Sequence, residues 1–327
     1  MRVLYKKDLP SFIEELKKSY KVVAPVKKDT EYVFDDIKDA ESVILEYPTT
    51  ILSTKEFFFP QREIILEYDL GETIQLKSSP EAEEICLIGI HPCDIHALLR
   101  FDEAYLTFKP DPFYEARRKN SLIIGIYCNR PNEFCFCTSM GTDTVKEGYD
   151  LMLIDAGEKY GIEIGSKKGE ELINSINLFK EEDEIKKPEL KGFVREVNTE
   201  NLPEIMRKEF NNKIWKYFGD RCLGCGKCVF VCPTCYCFNV IEDTDIEFKS
   251  GKRERFWDGC VLTDFAAVAG GGNFRADRTA RLKQRILHKF SYYPERYEEF
   301  GCTGCGRCIN VCPSDIDCTR IINLIRG

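Results

Sequence analysis

Residues 221–234 (RCLGCGKCVFVCPT) and 301–314 (GCTGCGRCINVCPS) are two copies of one pattern, C-x2-C-x2-C-x3-C followed by proline. Thiolates in this order wrap a chain around an iron–sulfur cube, and in two-cluster ferredoxins the fourth cysteine of each run ligates the other cluster. The expected sets are Cys222, Cys225, Cys228 and Cys312 for one 4Fe-4S cluster, and Cys302, Cys305, Cys308 and Cys232 for a second. Gly224, Gly226, Gly304 and Gly306 let the backbone pass close to a cube and aim N–H groups at its sulfurs. Lys227 and Arg307 occupy the same place in each copy and are expected to offset cluster charge, while Pro233 and Pro313 end each wrap. A pair of four-thiolate zinc sites is the competing chemistry, but zinc requires neither the third cysteine nor the C-P ending.

Four further cysteines gather earlier in the chain, Cys93, Cys128, Cys135 and Cys137, and their number matches one more 4Fe-4S site. The alternative is that they simply pack, since free cysteine behaves as a small buried hydrophobe. His91 and His96 flank Cys93 and read more readily as hydrogen-bonded helix-start residues than as ligands. Cys86 falls inside an apolar strand pattern and reads as core. Cys235, Cys237 and Cys260 lack a fourth ligand and line either a cluster or a partner contact, and Cys318 is left over.

The elements that would position these residues follow from periodicity. Ile85–Ile90 and Leu122–Tyr127 are apolar runs of buried-strand type, separated by about 30 residues with helical spacing. That length suggests a βαβ unit with parallel neighbouring strands. Cys93 and Cys128 would then both follow strand ends, at the carboxyl edge where open α/β sheets place their sites. The charged, proline-bearing stretch 180–204 reads as an exposed connection. The fold class expected is α+β or α/β: an N-terminal mixed α/β domain over residues 1–200, with the third iron–sulfur site, followed by a helical ferredoxin-like domain over 201–327 with two clusters. Within the latter, 203–218 reads as one core-facing helix carrying Ile205, Met206, Phe210, Ile214, Trp215 and Phe218 on a stripe. The 69 residues between the motifs look largely helical. Their basic stretch, with Arg278, Arg281, Lys283, Arg285, His288 and Lys289, has a solvated helix face as its default reading; contact with anionic clusters or an acidic partner is the alternative.

Composition narrows the class. Seventeen cysteines in 327 residues, an odd number, cannot all pair as disulfides and fit metal ligation in a reducing compartment. No apolar run serves as a secretory signal or a membrane span, so a cytoplasmic protein is expected. The formal net charge of −8 disfavours a general nucleic-acid binder, and each cluster with four thiolates adds roughly −2 more. The chain has no G-x-G-x-x-G, no P-loop and no H-E-x-x-H, so hydride and phosphate chemistry must lie elsewhere. It also has no paired C-x-x-C units at its two ends to hold nickel and iron.

In spacing, the second half is similar to the helical dicluster ferredoxin domains of respiratory-type iron–sulfur subunits. Nearly the whole chain resembles the beta, iron–sulfur subunit of sulfhydrogenase-type cytoplasmic nickel–iron hydrogenases, together with its relative, the A subunit of anaerobic sulfite reductase. The resemblance rests on residues 91–94 (HPCD), 134–142 (FCFCTSMGT), 232–237 (CPTCYC), 257–260 (WDGC), 269–275 (AGGGNFR), 281–285 (RLKQR) and the two cysteine motifs, in that order. Gly272 departs from the pattern, where the family commonly shows histidine, so no role of that side chain carries over. The resemblance implies a non-catalytic electron-transfer subunit between an NAD(P)H-linked flavoprotein and a catalytic metalloenzyme subunit.

Three functions follow as expectations. The first is this electron relay, with two or three 4Fe-4S clusters. The second is a free-standing iron–sulfur oxidoreductase using Cys93 or Cys128 with His91 or His96 as base. The third is a redox-sensing regulator using the basic stretch 275–289 on nucleic acid, which the acidic composition places last.

Overall fold

The computed structural model describes residues 1–327. Its strands are β1 (Arg2–Tyr5), β2 (Lys21–Lys28), β3 (Glu31–Asp36), β4 (Arg62–Asp69), β5 (Gln75–Lys77), β6 (Ile85–Ile90), β7 (Ser121–Ile126), β8 (Leu151–Asp155), β9 (Lys159–Ile164), β10 (Lys180–Glu181), β11 (Phe238–Thr244) and β12 (Ser250–Trp257). Eight of them form a mixed sheet in the order β10-β1-β9-β8-β7-β6-β2-β3. The centre, β2, β6, β7 and β8, is parallel, and antiparallel strands complete both edges.

The apolar runs at β6 and β7 are buried at every residue, as strands covered on both faces must be. Alternate side chains point to opposite faces: Cys86, Ile88, Leu122 and Ile124 enter one core and Leu87 and Ile123 another, which Ile90 also joins because the register shifts at Gly89. The expected βαβ unit is present, with helices Pro92–Leu106 and Pro112–Lys119 joining parallel β6 and β7. Pro92 at the helix start has no N–H to leave unsatisfied there, which sets the chain turning immediately after β6. Cys93 therefore sits in the first helical turn beyond one strand and Cys128 in the loop beyond its neighbour.

Two elements differ from the periodic reading. The 203–218 segment is two helices, Leu202–Lys208 and Ile214–Arg221, broken by Glu209–Lys213. Asn212 causes the break, its side-chain oxygen accepting from Ile214 N–H, while Trp215 Nε1 donates to the Glu209 carbonyl. Leu202, Met206, Trp215 and Phe218 still reach a third core with Ile286, Phe290, Ile321 and Ile322, but Phe210 is left exposed. The spacer between the motifs is likewise not mainly helical, since its first third is the β11–β12 hairpin. That hairpin pairs through β12 with β4, giving a second, antiparallel sheet in the order β11-β12-β4-β5 that joins residues from both sequence halves. Arg255 fastens it, donating to Glu63 and Asp111 at 2.5 Å each from a 4% exposed side chain.

Candidate metal centres

The chain has four cysteine-lined cavities: three are lined almost wholly by residues from 222 onward, and one lies where the segments following β6 and β7 meet Cys305. Cys222, Cys225, Cys228 and Cys312 line the first, together with Cys308 and Cys318. Cys302, Cys305, Cys308 and Cys232 line the second. Cys93, Cys128, Cys135 and Cys137 line the third, and Cys235, Cys237 and Cys260 the fourth. No three or more His, Cys, Asp or Glu side chains are arranged to hold a single metal ion. Thiolates around one zinc ion, at about 2.3 Å from the metal, would lie about 3.8 Å apart.

Each motif loop starts a short helix, Lys227–Phe230 and Arg307–Asn310, from a left-handed glycine. Gly224 N–H points at Cys222 Sγ (3.4 Å) and Gly304 N–H at Cys302 Sγ (3.5 Å), so the backbone donates to thiolate sulfur as the repeated glycines suggested. In the second copy the glycines have a further role. A Cβ at Gly304 would stand 2.7 Å from the Cys137 backbone, and one at Gly306 would stand 2.4 Å from the Phe134 carbonyl oxygen. The seam they permit is tied by Phe136 N–H to the Gly304 carbonyl (2.8 Å) and by Thr142 Oγ1 to the Thr303 carbonyl (2.6 Å). Cys305 consequently lines both the second and the third cavity.

The matched cations of the two loops have diverged. Lys227 is exposed, whereas Arg307 is fully buried, paired with Asp94, and close enough for its charge to act on Cys305, Cys93 and Cys135. The basic stretch is corrected as well. Arg281, Arg285 and Lys289 are all buried, on a helix that runs from Arg278 through a π turn at His288–Tyr292 to Tyr297. π turns are rare interruptions of helices and occur frequently at functional sites. Arg285 lines the first, second and fourth cavities, and Lys289 the second and fourth. Lys289 Nζ donates only to neutral oxygens, Thr234 Oγ1 at 2.6 Å and the Gly301 carbonyl at 2.9 Å.

Lys55, which the sequence reading passed over, is a third buried cation here. Its Nζ faces the carbonyls of Phe230 and Cys235, each at 3.2 Å, and lies 3.7 Å from the centre of the Trp257 ring. A single lysine before an apolar run, TKEFFF, carries no spacing signal. Cys318 was also unassigned; it is buried beside Cys308, lines the first two cavities, and its hydrogen bond to Cys308 holds the Cys308 thiol below its ordinary range.

The donor set fits iron–sulfur clusters on two counts. Arg285 Nε and Thr303 Oγ1, two of four buried side-chain atoms lacking any hydrogen-bond partner, both line these cavities and await an acceptor. Burial also pushes the thiols of Cys228, Cys302 and Cys135 up to about 12 and that of Cys305 up to about 11. Buried neutral thiols become ligands only when a metal supplies the field that removes their protons. They are poor nucleophiles otherwise. Near Cys93, burial lowers His91 to about 4 while its ring stacks on Tyr47 at 4.2 Å, and His96 Nε2 is engaged by the Thr144 carbonyl at 2.8 Å. His91 is therefore not placed as a free general base, whereas His96 keeps a buried Nδ1 without a partner.

Thiol-lined cavities threaded by buried cations, on a doubled cysteine motif, define an iron–sulfur dicluster protein, and the model of the 4Fe-4S dicluster domain family matches residues 221–316. The chain is 36% identical over 332 residues to sulfhydrogenase 2 subunit beta of Pyrococcus furiosus, a match covering 99% of this chain and 97% of that protein. It belongs to that family of sulfhydrogenase beta subunits. No solved structure matches it. No helix is long and apolar enough to cross a membrane.

Proposed function

We propose that the chain relays electrons through at least three 4Fe-4S clusters between an NAD(P)H-linked flavoprotein subunit and a catalytic hydrogenase-type subunit in the cytoplasm, with no bond-making chemistry of its own. The observation that carries this reading is contiguity: the third and second cavities share Cys305, and the second and first share Cys308, Cys318 and Arg285. When bound, a 4Fe-4S cluster supplies a one-electron couple with little geometric change.

The residues of the chain do the rest. Cys222, Cys225, Cys228 and Cys312 would hold the first cluster, Cys302, Cys305, Cys308 and Cys232 the second, and Cys93, Cys128, Cys135 and Cys137 the third. Arg285 and Lys289 supply fixed positive charge inside a water-poor junction, which favours the reduced, more negative state. Cys225 is exposed and Leu223 is 61% exposed, so the first site opens to the surface where a redox partner can dock. The raised thiols around Cys93 and the stacked, buried His91 support a ligand role there over free-standing catalysis.

The test compares iron and acid-labile sulfide in anaerobically purified chains. Cys128→Ser is expected to carry about four fewer irons than the unaltered protein, and equal iron would remove the third site. Native purification is expected to bring down a flavoprotein and a metalloenzyme; a lone monomer would overturn the relay reading.

A further inference from the structure

The fourth cavity is not used by the relay just described, and its construction is specific. Phe238 pairs with Trp257 at the last register position of the β11–β12 hairpin, and Asp258 N–H donates to the Cys237 carbonyl at 3.1 Å. Closing the hairpin thereby brings Cys260 back beside Cys237. Cys235 is held next to them by the turn that follows Cys232, its N–H donating to the Cys232 carbonyl at 3.4 Å. All three thiols line one cavity, together with His288 from the π turn.

Charge supplies the second, independent observation. Lys55 is 4% exposed and has no carboxylate partner; around its ammonium stand carbonyls, an indole ring and the thiols of Cys235, Cys232 and Cys237. Lys289 is equally buried with only neutral acceptors, and Arg285 keeps an unpartnered Nε. Burying an ammonium without a counter-anion is strongly unfavourable. Cys235 is the one thiol outside the motif sets that faces all three cations, so their charge favours an anionic group on its side of the second site.

We propose that Cys235, Cys237 and Cys260 hold a fourth iron–sulfur cluster, with His288 ligating the iron that the three thiolates leave open. Three cysteines with a histidine also suit zinc in composition. The side chains are not arranged to hold a single ion, however, and the cavity shares Arg285, Lys289 and Thr234 with the second site, so it extends the redox array. Asp258 is the less suitable fourth ligand because its Oδ1 already accepts from Gly259 N–H at 2.7 Å. The assignment does not depend on the third site or on the identity of the partners.

Anaerobic metal analysis with Mössbauer spectroscopy of the full chain tests it. Cys260→Ser and Cys237→Ser are each expected to lose about four irons, and Cys128→Ser/Cys260→Ser about eight, which separates this site from the third. Unchanged iron in the two single variants, or zinc that disappears with Cys260, overturns the cluster. His288→Cys keeps every ligand position filled and so does not depend on folding of a depleted protein. It is expected to retain iron and to move one one-electron wave to lower potential, because imidazole ligation raises cluster potentials relative to thiolate. No shifted wave would remove His288 from the ligand set.

Discussion

Arg307 and Asp94 meet fork to fork, with guanidinium-to-carboxylate distances of 2.6 and 2.7 Å and side chains 2% and 1% exposed. Arg307 stands between Cys305 and Cys308, and Asp94 directly follows Cys93, so one buried ion pair fixes the second cavity against the third. The guanidinium is completed by Thr50, whose carbonyl accepts at 2.8 Å and whose hydroxyl lies at 2.9 Å.

Removing either partner strands the other charge in the interior. Arg307→Met and Asp94→Asn are each expected to destabilise the protein by about 3–5 kcal/mol in denaturant unfolding. Arg307→Lys should restore little, since an ammonium cannot reproduce the two-pronged contact. A loss below about 1 kcal/mol in both variants would show that the pair does not anchor the junction.

Gly304 and Gly224 form a matched comparison. Both have left-handed backbones, φ +66° and +67°, so alanine costs each about 1–2 kcal/mol of strain. Only Gly304 is pressed against another backbone; the nearest atom to a Cβ at Gly224 is 3.6 Å away. Gly304→Ala is therefore expected to lose about 1–3 kcal/mol more than Gly224→Ala and to deplete third-site iron. Equal unfolding midpoints would place the seam elsewhere.

Lys289→Met keeps the volume of a buried side chain and removes its charge. Loss of a fixed positive charge disfavours the reduced clusters, so at least one midpoint should fall by an amount on the order of tens of millivolts. Lys28→Met, at an exposed ion pair with Asp35 on a sheet edge, should move none. Protein-film voltammetry on the two variants distinguishes a local field from a general change in net charge.

Asp317 caps the C-terminal helix, Cys318–Arg326, by accepting from Thr319 N–H at 2.8 Å, and it pairs with Arg195 at 2.7 Å. Asp317→Ala is expected to cost about 1–2 kcal/mol. Burial opposes the charge on this carboxylate, but hydrogen bonds from Thr319 and Arg195 outweigh it and hold the pKa below the usual range. The stability this contributes is present above the ordinary carboxylate range and is lost only as pH falls through the lowered value. The difference between the variant and the unaltered protein should therefore stay constant from pH 7 to pH 5.5 in urea titrations.

Local chemistry was legible in the chain itself. The repeated spacing marked the eight motif cysteines as the expected cluster ligands, because C-x2-C-x2-C-x3-C-P is the pattern with which two-cluster ferredoxins wrap a cube. Continuous apolar runs marked β6 and β7, because a strand buried on both faces cannot afford polar residues, and the positions after those strands located Cys93 and Cys128. Tertiary structure decided what depends on long-range approach. Whether Arg285 and Lys289 face water or thiols turns on which side of one helix meets the motif loops, and an amphipathic pattern with basic residues reads the same in both cases. Arg307 and Lys227 hold the same place in matching motifs, and what sets Arg307 apart is Asp94, 213 residues away, lying opposite it. The breaks in the helical reading, at Asn212 and at the β11–β12 hairpin, likewise came from a side-chain hydrogen bond and from β4, a distant strand offering its edge.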